Sequence, residues 1–234
     1  MGRNKIFIFG GNTLYKFDLN RQTGSFESLE SGVAITGVME KPDNPNINFI
    51  ATQDKIMVYG NSPEPRTAWF RTENQPAMNQ ITLYRESFYM LGEDGLIYRL
   101  PFSTSSTTSE IIVGDFALWT QQATSYKLKA KSFSVEGSIF GLTDEHTLVE
   151  LANGQKKNEI VLKEAVQEIF TLSNHKNIYA LSPADGLIVI LDKNLNTKKR
   201  LFHPELAGTS SFVVNSQERV VYFLKGKTVY SFEI

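Results

Sequence analysis

One hairpin pattern recurs along the chain and limits what it can fold into. It is clearest at residues 177–192 (NIYALSPADGLIVILD), where two apolar runs flank an Asp-Gly turn. This combination is a strong short-range signal for a β-hairpin. Six such hairpins align on an aromatic residue in the first arm, namely Phe7, Phe49, Tyr89, Phe140, Tyr179 and Tyr222. The spacings of 42, 40, 51, 39 and 43 residues indicate repetition of one supersecondary unit.

Each repeat holds more strand-forming sequence than its hairpin. In five of the units a short alternating run precedes the hairpin, at 34–40, 80–85, 131–135, 166–172 and 211–214. A period of about 40–45 residues with four strands is typical of β-propeller blades. We therefore predict an all-β fold, a β-propeller of about six blades with three to four antiparallel strands each, in one domain over 1–234. Unrelated hairpins in a β-sandwich are the less favoured alternative.

Both terminal units are predicted to be incomplete. The first lacks the strand before its hairpin, and the last lacks the strand after it. The run 211–214 could complete the first unit, two blades could have three strands, or the missing strand could lie upstream in a longer protein. Because a free sheet edge invites pairing with another chain, we expect a monomer unless a partner completes the first blade.

Two segments interrupt the regular pattern. The longest interval contains a low-complexity stretch at 103–109 (STSSTTS), followed by EIIVGDFALWT. This predicts a longer outer edge or loop in the third blade rather than an interdomain linker. Residues 156–170 have apolar residues at helical spacing. The repeat register nevertheless favours two strands there, at 159–163 and 166–172.

The second unit, residues 33–60 (VAITGVMEKPDNPNINFIATQDKIMVYG), resembles a blade of the WD-repeat and related propellers. The match is one of pattern, because no Gly-His pair opens the blades, and Tyr59 or Asp192 stands where Trp-Asp would end the third strand. Residues 16–24 (KFDLNRQTG) resemble the Asp-x-x-x-x-Thr-Gly turn of quinoprotein-like propellers, whose tryptophan docking motif is missing. The resemblance implies the propeller fold without a subfamily.

Composition excludes several classes of function. With 24 basic and 25 acidic residues the net charge is −1, so we expect no nucleic acid partner, because such binding depends on phosphate neutralisation. The chain has no cysteine, which removes disulfides, thiolate metal sites and cysteine nucleophiles. No apolar stretch is long enough for a signal peptide or a membrane span. We expect no cofactor, no membrane and a cytoplasmic location, or an extracytoplasmic one if the chain comes from a longer exported protein.

Acidic and histidine residues are candidate ligands that turn chemistry explains as well. The carboxylates at matching hairpin turns, Asp54, Asp94, Asp144 and Asp185, would line one face of a propeller and could bind a cation. Since Asp is a preferred turn residue, a structural role is favoured. The histidines, His146, His175 and His203, lack metal-ligand spacing and are predicted to be surface residues on turns.

Four residues are candidates for binding a partner: Trp69, Trp119, Arg66 and His203. Exposed tryptophans often anchor partners, although the favoured role for both is to cover a blade interface. The loops predicted to contact a partner are 41–46, 61–66 and 203–208, chosen for proline and polar character. Basic clusters at 127–131 and 198–200 are interpreted as solvated faces, or as a surface for an anionic partner.

The sequence favours a non-enzymatic platform that binds a protein or peptide on loops held by a rigid scaffold. No residue is assigned a catalytic or metal-binding role. One alternative is a small-ligand, sugar-binding or enzymatic site in a central channel, which needs convergent carboxylates and histidines. The charges on the predicted inner strands are Glu40, Arg85, Lys131 and Glu168. Another alternative is a sensory or regulatory module attached to a catalytic domain absent from this chain.

Overall fold

A computed structural model describes residues 5–18, 23–28, 34–41, 43–59, 65–105, 110–119 and 128–234. Their regular structure is almost entirely antiparallel β-strand, arranged in six sheets in chain order. The sheets fall into two compact units, Arg3–Trp119 and Thr120–Ile234. No helix in the described part of the chain is long and apolar enough to cross a membrane.

The first compact unit, Arg3–Trp119, contains three sheets. Sheet 1 has β1 (Lys5–Gly10), β2 (Thr13–Asp18) and β3 (Thr23–Ser28); sheet 2 has β4 (Ile35–Lys41), β5 (Asn44–Thr52), β6 (Lys55–Tyr59) and β7 (Arg66–Phe70). Sheet 3 has β8 (Met78–Tyr84), β9 (Ser87–Gly92), β10 (Ile97–Thr104), β11 (Ile111–Val113) and β12 (Ala117–Leu118). Both β11 and β12 pair with β10, so the long interval does extend the outer edge of the third blade, as predicted.

The second compact unit, Thr120–Ile234, contains the other three sheets. Sheet 4 has β13 (Ser132–Val135), β14 (Ile139–Leu142), β15 (Thr147–Ala152) and β16 (Gln155–Val161); sheet 5 has β17 (Glu168–Phe170), β18 (Asn177–Ser182), β19 (Leu187–Asp192) and β20 (Thr197–Phe202). Sheet 6 has β21 (Ser211–Val214), β22 (Val220–Lys225) and β23 (Thr228–Glu233). The helical spacing at 156–170 therefore belongs to two strands, although their bounds differ from those predicted.

The predicted fold is confirmed: the chain is an all-β protein with a β-propeller arrangement. It has five blades, close to the six predicted, while the described strands form six sheets. The first and last sheets have three strands each, as expected for incomplete terminal blades.

The core lies between successive sheets of each unit. Alternate residues of a strand face the preceding and the following sheet. In sheet 5, Ile178 and Ala180 pack toward sheet 4, whereas Tyr179 and Leu181 pack toward sheet 6. Phe49 and Phe140 likewise pack against the sheet that follows their own. The aromatic residues that align the repeats therefore mark one face of the blades.

First strands of neighbouring sheets approach closely within each unit. Gly37 on β4 is required by this approach, since a Cβ atom there would collide with the Ile81 side chain on β8. In the second unit small hydroxyls join the strands instead. The Ile169 N–H donates to Ser132 Oγ at 3.2 Å, and the Thr171 N–H donates to Ser134 Oγ at the same distance.

Candidate interaction surface

Trp69 lies in the core between two sheets. Its side chain is buried, and it packs in the cluster between sheets 2 and 3. Phe116, from the insertion in sheet 3, stacks between Trp69 and Tyr98, with ring centroids 5.5 Å and 4.8 Å away. Trp69 therefore has the blade-interface position that the sequence favoured, and its contact with a partner stays a prediction.

The other predicted partner-binding residues lie on different elements. Arg66 is exposed at the start of β7, and Trp119 is half-buried just after β12. His203 follows β20 in the second unit. Its ring stacks on Phe232 at 4.8 Å, and Nδ1 accepts the Glu205 N–H at 3.3 Å, which caps a 3₁₀ turn. His203 thus has a structural role in the connection between sheets 5 and 6.

The three predicted contact loops do not all join blades. Residues 41–46 run from the end of β4 into β5, and residues 61–66 come between β6 and the start of β7 in the chain, so both join strands of the same sheet. Residues 42 and 61–64 lie outside the described part of the chain. Only 203–208 connects two sheets. In a four-stranded antiparallel sheet, the turns after the first and third strands lie at one end. The turn after the second strand and the connection to the next sheet lie at the other end. The predicted loops therefore belong to opposite ends of the sheets, with 203–208 opposite the other two.

Three of the hairpin-turn aspartates accept hydrogen bonds within or beside their turns. Asp54 accepts a hydrogen bond from Arg71 Nε at 2.6 Å, and Asp94 accepts one from the Tyr98 hydroxyl at 2.6 Å. Asp185 accepts from Ser182 Oγ at 2.6 Å and from the Ala165 N–H at 3.0 Å. The described residues contain no group of three or more His, Cys, Asp or Glu side chains placed to hold a metal ion. The turn interpretation is therefore the one that these contacts support.

His175 is buried, contrary to the prediction that the histidines lie on the surface. Only 4% of its surface is exposed, and its Nε2 donates to the Asn215 carbonyl at 3.0 Å. Burial lowers the pKa of the imidazole. The ring packs edge-on against Phe170 and Tyr179, so His175 joins the loop before β18 to the turn before β22.

The turn before β22 is also held by Glu218. Its carboxylate accepts the N–H groups of Lys176 at 3.0 Å and Asn177 at 2.9 Å, and the Tyr179 hydroxyl at 3.2 Å. Burial acts to raise the pKa of Glu218, but these donors outweigh it and the pKa is lowered. The contacts explain why a charged side chain is retained between sheets 5 and 6.

The charges predicted on the inner strands have different surroundings. Glu40 is buried on β4, and Arg85 lies in the turn after β8, exposed and over the Tyr84 ring, rather than on the strand as predicted. Lys131 immediately precedes β13. Glu168 accepts hydrogen bonds from Ser211 Oγ at 3.1 Å and the Phe212 N–H at 3.3 Å. Burial raises the pKa of Glu168 to about 7, and its role is to join β17 to β21.

Exposed apolar residues instead mark the outermost strands. The four most exposed large apolar side chains of the described residues are Phe202 at 71%, Val161 at 68%, Phe70 at 64% and Ile112 at 54%. They lie on β20, β16, β7 and β11, one on an outer strand of each sheet with four or more strands. We call these four residues the rim anchors.

Three of the rim anchors occupy equivalent positions. Each is the last residue of a fourth strand and pairs with the first residue of the third strand: Phe70 with Lys55, Val161 with Thr147, and Phe202 with Leu187. The preceding residue packs inward in each case, as Trp69, Ile160 and Leu201 do. The repeat therefore places an apolar side chain in solvent at the same point of three sheets.

Two of the rim anchors lie one position away from residues predicted from the sequence. Trp69 and His203 pack inward, whereas their neighbours Phe70 and Phe202 are exposed. The signal was present in the strand alternation, because two successive apolar residues at the end of a polar outer strand cannot both face the core. Aligning the fourth strands as well as the hairpins would have shown the recurrence.

No protein-family model matches the chain, and no curated protein matches it. Comparison of structures gives 1115 matching chains. One belongs to the solved structure described as the crystal structure of the mitotic checkpoint complex. It has a TM-score of 0.67 and 10% sequence identity, over 99% of this chain and 84% of that chain. This likeness shows the fold.

Proposed function

We propose that this protein is a non-enzymatic interaction platform, whose rim anchors contact a protein partner. The observation that carries the proposal is the recurrence of an exposed apolar residue at the end of β7, β16 and β20. Singly exposed apolar residues are common on proteins and need no explanation. Residues that recur in register on separate sheets are harder to attribute to chance.

The energetic argument concerns burial at the rim. Covering a Phe or Val side chain contributes about 1.5–3 kcal/mol. Two such contacts on neighbouring sheets can be occupied together, which raises the overall affinity without any single strong site. Within Thr120–Ile234, the core packed between sheets 4 and 5 fixes the spacing of Val161 and Phe202. The neighbouring structure supports the proposal only in that its description names a protein complex.

The test compares two sets of substitutions. One variant carries Phe70→Ser, Val161→Ser and Phe202→Ser; the matched control carries Phe9→Ser, Leu172→Ser and Val213→Ser, whose side chains are 37%, 36% and 36% exposed. Proteins that copurify with the wild type are identified, produced separately and titrated into both variants by calorimetry. We expect the rim variant to lose at least about tenfold in affinity, equivalent to about 1.4 kcal/mol, and the control to lose little.

A circular dichroism melt of each variant separates binding from folding. Each rim substitution should change the free energy of unfolding by less than about 0.5 kcal/mol, whereas each control substitution, at a less exposed position, should cost up to about 1 kcal/mol. The control variant should therefore melt below the wild type, and the titrations are made at a temperature at which the melts show both variants folded. The proposal fails if the two variants lose the same affinity, or if the rim variant binds as the wild type does.

A further inference from the structure

In the described part of the chain, the last sheet has an uncovered outer edge at β23. Sheet 6 ends at β23, and among the described residues only β22 pairs with it. In sheets 4 and 5 the corresponding third strands, β15 and β19, are covered by fourth strands and are mostly buried. By contrast β23 is exposed along most of its length.

The pairing of β22 and β23 shows which backbone groups face outward. Lys225 pairs with Thr228 across a two-residue turn, and the Ile234 N–H donates to the Arg219 carbonyl at 2.9 Å. Hydrogen-bonded and non-hydrogen-bonded pairs alternate along an antiparallel ladder. The N–H and C=O groups of Val229, Ser231 and Glu233 therefore point to the open edge, where they can bind another strand.

The sequence of β23 does little to protect this edge. Exposed edges are usually protected from pairing with another chain by lysine or other charged residues, or by proline. The outer strand β20 has Lys198, Lys199 and Arg200, and β16 has Lys156 and Lys157. Within β23 the one charged residue is Glu233, at its end. An unprotected edge of six residues is a template for strand addition.

The protein's own fourth strands indicate what the edge accepts. In sheet 4, Glu150 on the third strand pairs with Lys157 on the fourth at 2.9 Å. In sheet 5, Lys198 lies close enough to Asp192, the sixth residue of β19, to lower the pKa of its carboxyl, after the larger contributions of the Asn196 and Asn194 donors. Glu233 is the sixth residue of β23 and has the same place in its strand.

We propose that β23 binds an extended segment of a partner protein as a fourth, antiparallel strand of sheet 6. The segment carries Lys or Arg in its first half, beside Glu233, and an apolar residue at its end, beside Thr228. Backbone hydrogen bonds to Val229, Ser231 and Glu233 supply the pairing, and the charge contact sets the register.

The probe is a peptide that has the sequence of the chain's own fourth strand β20 and its flanking residues. A capped, fluorescent peptide with the sequence of residues 195–203 (LNTKKRLFH) is titrated into the full chain, and binding is followed by fluorescence anisotropy. A control peptide has glutamate in place of the three basic residues. We expect the first peptide to bind at least about tenfold more tightly than the control, since like charges beside Glu233 oppose pairing.

A pair of variants locates the bound peptide. Ser231→Pro removes one outward N–H group while leaving the ladder to β22 intact, because proline is tolerated on an edge strand when its nitrogen faces solvent. Ser231→Thr keeps the N–H group and serves as the matched control. We expect Ser231→Pro to weaken the basic peptide about tenfold or more, and Ser231→Thr to bind it as the wild type does.

Amide exchange measured by NMR provides the second measurement. Adding the basic peptide should slow exchange at Val229, Ser231 and Glu233 by at least about tenfold, with little change at Tyr230 and Phe232, whose amides already face β22. The proposal is overturned if the wild type does not bind the basic peptide, if Ser231→Pro binds it equally well, or if the three outward amides are not slowed.

Discussion

Sheets 5 and 6 share one hydrophobic cluster but differ at their third strands. In sheet 5, β19 (LIVILD) is buried at five of its six residues, whereas in sheet 6, β23 (TVYSFE) is exposed at five of six. The difference follows the number of strands, because β20 covers β19 and no described strand covers β23. A third strand becomes core only where a fourth is present, and the sequences of β19 and β23 reflect this.

The largest predicted difference concerns equivalent residues of these strands. Ile188→Ala, at a fully buried position of β19, should lower the free energy of unfolding by about 2–5 kcal/mol, because it leaves a cavity. Val229→Ala, at the equivalent position of β23 and 37% exposed, should cost less than about 1 kcal/mol. Urea denaturation of both variants measures the pair. Equal losses would mean that β23 is as well covered as β19.

The Glu218 contact between sheets 5 and 6 is predicted to contribute less to the free energy of unfolding than the buried Ile188 side chain does. Glu218→Ala removes the acceptor of the Lys176 and Asn177 N–H groups and of the Tyr179 hydroxyl. We expect a loss of about 1–2 kcal/mol, less than full burial of these donors would imply, since water can replace part of the carboxylate. Glu218→Gln, which keeps one acceptor oxygen, should lose less. Urea denaturation with identical results for Ala and Gln would contradict this role.

The smallest predicted effect is a pH dependence at Glu168. Its pKa in the folded protein is about 7, above the unfolded value of about 4.3. Its contribution to stability is therefore complete below about pH 4.3 and is lost as the pH rises through about 7. The full shift corresponds to roughly 3.7 kcal/mol. We expect about 1 kcal/mol, because the side chain retains some solvent contact.

Glu168→Gln isolates that effect. The variant keeps an acceptor for Ser211 and Phe212 but cannot ionise. Relative to this variant, the wild type should lose about 1 kcal/mol between pH 5 and pH 8, as measured by urea denaturation at each pH. The buried His175, whose pKa is lowered, acts at lower pH in the opposite direction and is present in both proteins, so it cancels in the difference. A constant difference across this range would refute the assignment.

Much of the fold could be predicted from sequence, because the repeat carries it. The hairpins around Phe49, Phe140 and Tyr179 predict the repeat period, and these three residues all lie on the face that packs against the following sheet. The incomplete terminal sheets were predicted from the same alignment. The extended edge of the third blade followed from the one irregular interval. These features are local, and near-constant spacing makes them consistent along the chain.

The candidate surface could be predicted less well, because it depends on packing between sheets. Trp69 is covered by Phe116 from an insertion some 47 positions later in the chain. His175 is buried by its contact with Asn215 in the next sheet. Neither contact has a signature in the local sequence. In contrast, the exposure of Phe70 and Phe202 could have been predicted by aligning the fourth strands. The alignment of the hairpins alone does not include those strands.

The most direct test of the open edge is amide hydrogen exchange in the free protein, followed by NMR. If β23 is an uncovered edge, the amides of Val229, Ser231 and Glu233 should exchange rapidly, while those of Tyr230 and Phe232 are slower. The amides of β19, which has a strand on both sides, should be slow at every residue from Ile188 to Leu191. If Val229, Ser231 and Glu233 exchange as slowly as the amides of β19, the edge is already paired and the account is wrong.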